Sequence, residues 1–167
     1  MTMESTSRVL VVEIRADRAG FAVLDTYKGL LDYGTMWFDT REVTGHWLNR
    51  FLWRRQASTL IMRSSESGWS IRRKKIQRMV RIEAQKRRLK IVYIPDRILR
   101  SYWARQSCRN KYQVAEVLSA MFPQFSRPVP AHRKIYDPEA RSVLLFDSLA
   151  VAAVFLDFFH QDAEAGP

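Results

Sequence analysis

One cysteine, Cys108, is all the chain carries in 167 residues. A single thiol excludes an internal disulfide and any zinc site built from several cysteines, and it fits a reducing, cytoplasmic setting. Cys108 has basic neighbours but no paired histidine, which argues against a catalytic thiol. Histidine is sparse as well, and His46, His132 and His160 show no ligand spacing. No apolar run reaches the roughly 18 residues that a bilayer span needs. The richest late stretch, Val143 to Phe159, is broken by Asp147 and Asp157, so no membrane partner is expected. The N-terminus shows no basic region followed by an apolar core, and no secretory signal is expected. Acids are the last scarcity: 17 Asp and Glu stand against 28 Lys and Arg.

That imbalance gives a formal net charge of +11 and a pI near 10.3. A basic excess of this size points to a polyanionic partner, above all nucleic acid. The charge is also clustered. Between Arg72 and Lys90 stand ten Lys or Arg residues and one acid, Glu83. Like charges at i, i+4 on a helix repel, and a phosphate backbone would relieve the repulsion while releasing counterions. The hydrophobic fraction of 47% is that of a globular protein. The expectation is one domain over residues 1–167, with 1–7 and 162–167 as flexible tails.

The chain is organised around RVLVVEIRADRAGFAVLD, Arg8 to Asp25. The first apolar run, Arg8 to Arg15, reads as a strand buried on both faces. Ala16-Asp17-Arg18 makes a turn, and Ala19 to Thr26 returns as the partner of a hairpin. Leu31 to Phe38 reads as a third strand. Val43, Trp47, Leu48, Phe51 and Leu52 then fall at helical spacing, with Thr40 as N-cap. Ser58 to Ser64 is a strand, and because a helix precedes it a parallel crossover onto the first strand is expected. A basic helix follows from about Trp69 to Arg88, with Ile76, Met79 and Val80 as a narrow apolar stripe. Lys90 to Pro95 is the fifth strand. Helices are expected over Ile98 to Ala104, over Asn110 to Phe122 with Val114, Val117, Leu118 and Met121 on one face, and over Arg141 to about Gln161. This order predicts an α/β architecture, a mixed five-stranded sheet with helices on both faces. Trp37, Trp47 and Trp53 read as core or near-core. Trp69 and Trp103 read as core residues or as surfaces that stack on bases.

Three segments carry a resemblance to a known family. VVEIRADRAGFAVLD, KIVYIPDRILRSYWARQSCRNKYQVAEVLSAMFP and FDSLAVAAVFL resemble the opening hairpin, the strand and Lys-containing helix, and the final helix of RuvC-type Holliday junction resolvases. These belong to the ribonuclease H-like superfamily. The resemblance spans roughly residues 8–158 and implies the ribonuclease H-like sheet order. It also implies carboxylates that hold two Mg²⁺ or Mn²⁺ ions, branched DNA as substrate, roles in DNA recombination and repair, and a homodimer. Two cations clamp the attacking and leaving oxygens of a phosphodiester, so several acids must offset their charge.

Carried over residue by residue, the metal ligands fall on Glu13 and Asp147. The pattern departs from the family in three places. The first ligand is usually Asp, one methylene shorter. The fourth-strand acid falls close to Arg63, which cannot ligate a cation because it stays protonated. A second acid before the helix ligand is here Leu144. Glu66, three residues past Arg63, is the candidate to rescue the missing position. Two readings follow. In the first, the Arg63 guanidinium occupies the metal space, pairs with Glu13 and Asp147, and leaves a nucleic-acid-binding module with impaired nuclease chemistry. In the second, a divalent-metal-dependent endonuclease uses Glu13, Asp147 and Glu66 as catalytic residues. In both, Arg72, Arg73, Lys74, Lys75, Arg78, Arg105, Arg109 and Lys111 form the nucleic-acid-binding surface. The partner is a DNA junction or duplex, with double-stranded RNA as a further candidate.

Overall fold

The computed structural model describes residues 8–37, 52, 56–64, 67–123 and 143–164, with side chains to 158. The helix expected from Val43 lies outside these residues except for Leu52, and Glu66 lies outside them altogether. Strands β1 (Arg8–Ile14), β2 (Arg18–Asp25) and β3 (Gly29–Trp37) form an antiparallel meander. Strands β4 (Thr59–Arg63) and β5 (Lys90–Ile94) continue the sheet in parallel to β1, giving the order β3-β2-β1-β4-β5. Helices α1 (Ile71–Lys86), α2 (Asp96–Arg105), α3 (Lys111–Met121) and α4 (Val143–Glu164) complete the described structure. This is the mixed α/β sheet with helices on both faces that the element order implies.

The pleat of β1 divides the core in two. Val9 and Val11 point to one face, where they join Leu99, Trp103, Leu118, Phe146 and Leu149 from α2, α3 and α4. Leu10 and Val12 point to the other, against Leu52 and against Ile76, Val80 and Ala84 of α1. Every residue of β1 after Arg8 is buried, as expected of a strand covered on both sides. Each such apolar side chain contributes about 1.5–3 kcal/mol by leaving water.

Local chemistry sets the boundaries. Ser70 caps α1 by accepting from the Arg73 N–H, and Asn110 caps α3 by accepting from Tyr112 and Gln113. The β2–β3 turn closes on Asp25, whose Oδ1 accepts from the N–H groups of Tyr27 at 2.9 Å and Lys28 at 3.0 Å. Those two bonds hold the Asp25 carboxyl below its usual range. Gly29 follows with φ of 79°, a conformation that only glycine adopts without strain.

Two expectations, for Trp37 and Met121, need correction. Trp37 is not core: it is 55% exposed on the edge strand, with the Arg18 guanidinium 5.1 Å above its ring. Met121 is exposed, and Ala115 takes its place with Leu118 on the buried face of α3. Helix α4 runs to Glu164, three residues past its expected end near Gln161. Trp103 is core, the first of its two readings, at 6% exposure, and it also lines a cleft described below.

Candidate nucleic-acid interface and its charged centre

Parallel strands end together, so β1, β4 and β5 deliver their C-terminal residues to one edge of the sheet. In open α/β sheets this edge is where ligands bind. Here it gathers Glu13 from β1, Arg63 from β4 and Asp96, just beyond β5. Helix α4 brings Asp147 to the same place. Its seat is set by Gly20, paired with Glu13 across the hairpin. A Cβ on Gly20 would fall 2.5 Å from the Leu144 carbonyl oxygen, so only glycine lets α4 lie this close to β2.

Glu13 is 1% exposed, and its Oε1 accepts from two guanidiniums. Arg63 Nη1 donates at 3.2 Å and Arg73 Nη2 at 3.0 Å. Burial pushes the Glu13 carboxyl above its ordinary value, and the arginines offset part of that push. Arg73 reaches in from the first turn of α1, packed over the Trp69 ring at 3.4 Å to the centroid. Burial pushes its pKa down to about 10, so it stays cationic at neutral pH. Arg63 gives its other nitrogen, Nη2, to Asp96 Oδ1. Asp96 Oδ2 meets Arg100 at 2.5 Å. Asp147 Oδ2 accepts from Arg15 at 2.7 Å and lies 3.4 Å from Lys111 Nζ. Gln77 of α1 donates to the Arg63 carbonyl at 2.6 Å and ties the end of β4 to the helix.

Five cations, Arg15, Arg63, Arg73, Arg100 and Lys111, thus surround three carboxylates, Glu13, Asp96 and Asp147, a formal excess of two positive charges. The Arg63 expectation holds for Glu13 and fails for Asp147. Arg63 bridges Glu13 to Asp96, and Asp147 is neutralised by Arg15 and Lys111 instead. Asp147 is also no helix cap. It is the fifth residue of α4, and its helix has no acid in the first turn.

A pair of divalent cations needs several carboxylate oxygens directed at one space. Among the described residues no three acidic, His or Cys side chains are grouped to hold a metal ion. Both family-position acids that are described are already in contact with guanidinium groups, and the strand-β4 position is itself a cation. Among the described residues, which do not include Glu66, the donor set does not fit a two-metal centre.

The cations proposed from sequence for phosphate contact divide. Lys74, Lys75 and Arg78 are exposed on α1, with Arg72 half-buried beside them. Arg105 and Arg109 are exposed where α2 turns into α3, and Lys111 is about half exposed. Arg73 is the exception, because it turns inward to Glu13 rather than outward to solvent. Sequence reasoning missed Asp96, Arg15 and Arg100. Asp96 carried a usable signal, an acid directly after a strand that proline terminates. Arg15 lies two residues past Glu13, just beyond the end of β1.

Beside this centre lies a cleft of about 1010 Å³ between α2, α3 and α4. Its wall is apolar, with Leu99, Trp103 and Phe146, and Arg63, Arg100, Arg109 and Lys111 also line it.

No protein-family profile and no curated protein sequence matches the chain. Solved structures do. The chain is similar to Thermus thermophilus RuvC in complex with Holliday junction substrate, with a TM-score of 0.66, 13% identity, and 93% of this chain and 96% of that one covered. It is similar to the yeast mitochondrial Holliday junction resolvase Ydc2, with a TM-score of 0.62, 13% identity, and 93% and 82% covered. A fowlpox virus resolvase with Holliday junction DNA gives 0.62, 12% identity, and 91% and 98% covered. The fold is therefore that of the RuvC-type, ribonuclease H-like resolvases, as the three sequence segments imply.

Proposed function

We propose that the chain is a nucleic-acid-binding module on a resolvase fold, directed to branched or structured DNA, whose metal centre has been replaced by internal ion pairs. The observation that carries this reading is the pair of guanidiniums on Glu13. Arg63 and Arg73 supply the positive charge that bound cations supply in a metal-dependent nuclease, and they supply it permanently. A carboxylate buried to this depth needs such compensation. The surviving cations on α1 and at the α2–α3 turn face outward and give a polyanion a basic track. The likeness to resolvases whose structures hold Holliday junctions favours a four-way junction as the first substrate to test.

The experiment combines binding and cleavage. The full chain is titrated into labelled four-way junction and duplex DNA over a range of salt, with Mg²⁺ or Mn²⁺ present. Binding that weakens steeply with salt, without strand scission, is the expected result. Charge reversal at Arg72, Lys74, Lys75 and Arg78 then reduces the salt slope by roughly 0.9 for each phosphate no longer neutralised. Scission that Glu13→Gln abolishes would replace this reading with the endonuclease one, in which Glu13, Asp147 and Glu66 hold the metals. Absence of binding to any nucleic acid would sink both.

A further inference from the structure

Strand β5 stands at one side of the sheet, last in the order β3-β2-β1-β4-β5. Its inner side bonds β4. Lys90 donates its N–H to the Ser58 carbonyl at 3.0 Å, and the Ile94 carbonyl accepts from the Ser64 N–H at 3.0 Å. In a parallel ladder alternate residues turn to the same neighbour, so Lys90, Val92 and Ile94 face β4. Ile91 and Tyr93 therefore turn their N–H and C=O groups outward, and among the described residues nothing pairs with them there. The outer side is reachable from solvent: Tyr93 is 41% exposed, Lys90 is exposed, and Ile91 and Val92 are partly buried. Three cations frame it, Arg88 and Lys90 at the start of the strand and Arg97 just past its end. All three are exposed, and none forms an ion pair among the described residues. None belongs to the basic track assigned above to nucleic acid.

We propose that β5 takes up an acidic, extended segment of a partner protein as an added strand. Strand addition matches what this edge offers. A peptide carries a donor and an acceptor on each residue, so it meets both the N–H and the C=O groups of Ile91 and Tyr93. A phosphate backbone carries acceptors and no donors, and would leave both carbonyls unmet. The framing cations select acids on the incoming segment. They also oppose a second copy of this chain, which would bring its own Arg88, Lys90 and Arg97 and a net charge of +11 to the same edge. Lys90 at the start of the edge and Pro95 after its end keep it short, which guards against indiscriminate pairing. Such a partner would bind whether or not the chain binds DNA.

The probe is a fluorescein-labelled peptide of alternating valine and glutamate, about six residues long, the length of an ordinary strand. The full chain should bind it about tenfold more tightly than the matching valine–lysine peptide, the combined scale of a few exposed ion pairs. In the complex the amide hydrogens of Ile91 and Tyr93 should exchange more slowly, read by NMR. Lys90→Glu with Arg97→Glu should reverse the preference between the peptides. Tyr93→Pro removes an outward N–H and no bond to β4, and should abolish peptide binding with the circular dichroism of the chain unchanged. Methylating the amide nitrogens of the peptide removes its donors and keeps its charge, and should abolish binding with the chain unaltered. Equal affinity for the two peptides, a preference that survives the charge swap, or binding that survives methylation overturns the added strand. Binding without slower exchange at Ile91 and Tyr93 overturns it as well. Slower exchange there with duplex DNA and not with peptide would assign the edge to nucleic acid instead.

Discussion

Glu13 and Asp147 belong to one charged cluster, yet they are held differently. Glu13 lies at 1% exposure with two guanidiniums on one oxygen, whereas Asp147 keeps 14% exposure and meets Arg15 and a lysine that is half in solvent. Depth decides the difference. A carboxylate far from water needs counter-charges that cannot leave, while one near the surface can share a mobile lysine with solvent or with a phosphate. The inner half therefore serves the fold, and the outer half stays within reach of solvent.

The largest effect should come from stripping the inner half. Arg63→Ala with Arg73→Ala leaves Glu13 buried and unpaired, and should cost about 3–5 kcal/mol in urea unfolding. Adding Glu13→Met should recover most of the loss, because removing a whole buried ion cluster costs far less than breaking one. A double variant as stable as wild type would show that the arginines do not compensate Glu13. Converting the inner half to acid sharpens the contrast. Arg63→Asp with Arg73→Ala should make the chain responsive to Mn²⁺, gaining about 2.7 kcal/mol at a hundred times the dissociation constant. A melting temperature indifferent to Mn²⁺ would refute that. Gly20→Ala disturbs the seat of Asp147 without touching a charge. The 2.5 Å approach to the Leu144 carbonyl leaves no room for a methyl group, and the expected loss is about 2 kcal/mol.

The outer half should be more forgiving. Arg15→Ala should cost about 1 kcal/mol and Lys111→Ala no more than about 0.5 kcal/mol. Lys111→Ala should nevertheless weaken DNA binding measurably. Equal losses from inner and outer variants would erase the distinction. The smallest signal is in pH. Glu13 titrates above its ordinary 4.5 in the folded chain, so the unfolded chain ionises first and stability falls as pH rises through that value. Asp25 titrates below its ordinary 3.8, so its contribution is present above that value and fades as pH drops through the folded pKa. Glu13→Gln should flatten the first slope and Asp25→Asn the second, read from urea midpoints across the acid range.

Much of the fold was legible because its signals are local. The unbroken apolar run of β1, the turn before Gly20 and the apolar length of α4 each declare an element without reference to the rest of the chain. The site was legible in part. Glu13, Asp147 and Arg63 could be placed because each stands at a strand end or in a recognisable helix. Who pairs with whom could not be placed. Arg73 looks in sequence like one more cation in a basic helix, and only the first-turn geometry of α1 and the Trp69 ring turn it inward. Asp96 took the second arm of Arg63 because β5 lies next to β4 in the sheet, a neighbour relation that spacing along the chain does not contain. Trp37 looks like core because it is large and apolar, but an edge strand leaves one side open and a nearby arginine covers it there.

The amide of Gln77 gives the molecule one more property. By gripping the last peptide of β4 it couples a surface rod to an interior post, so a load on the rod is felt at the post. A polyanion lying along the outside of the rod would pull on the same joint that fixes Arg63.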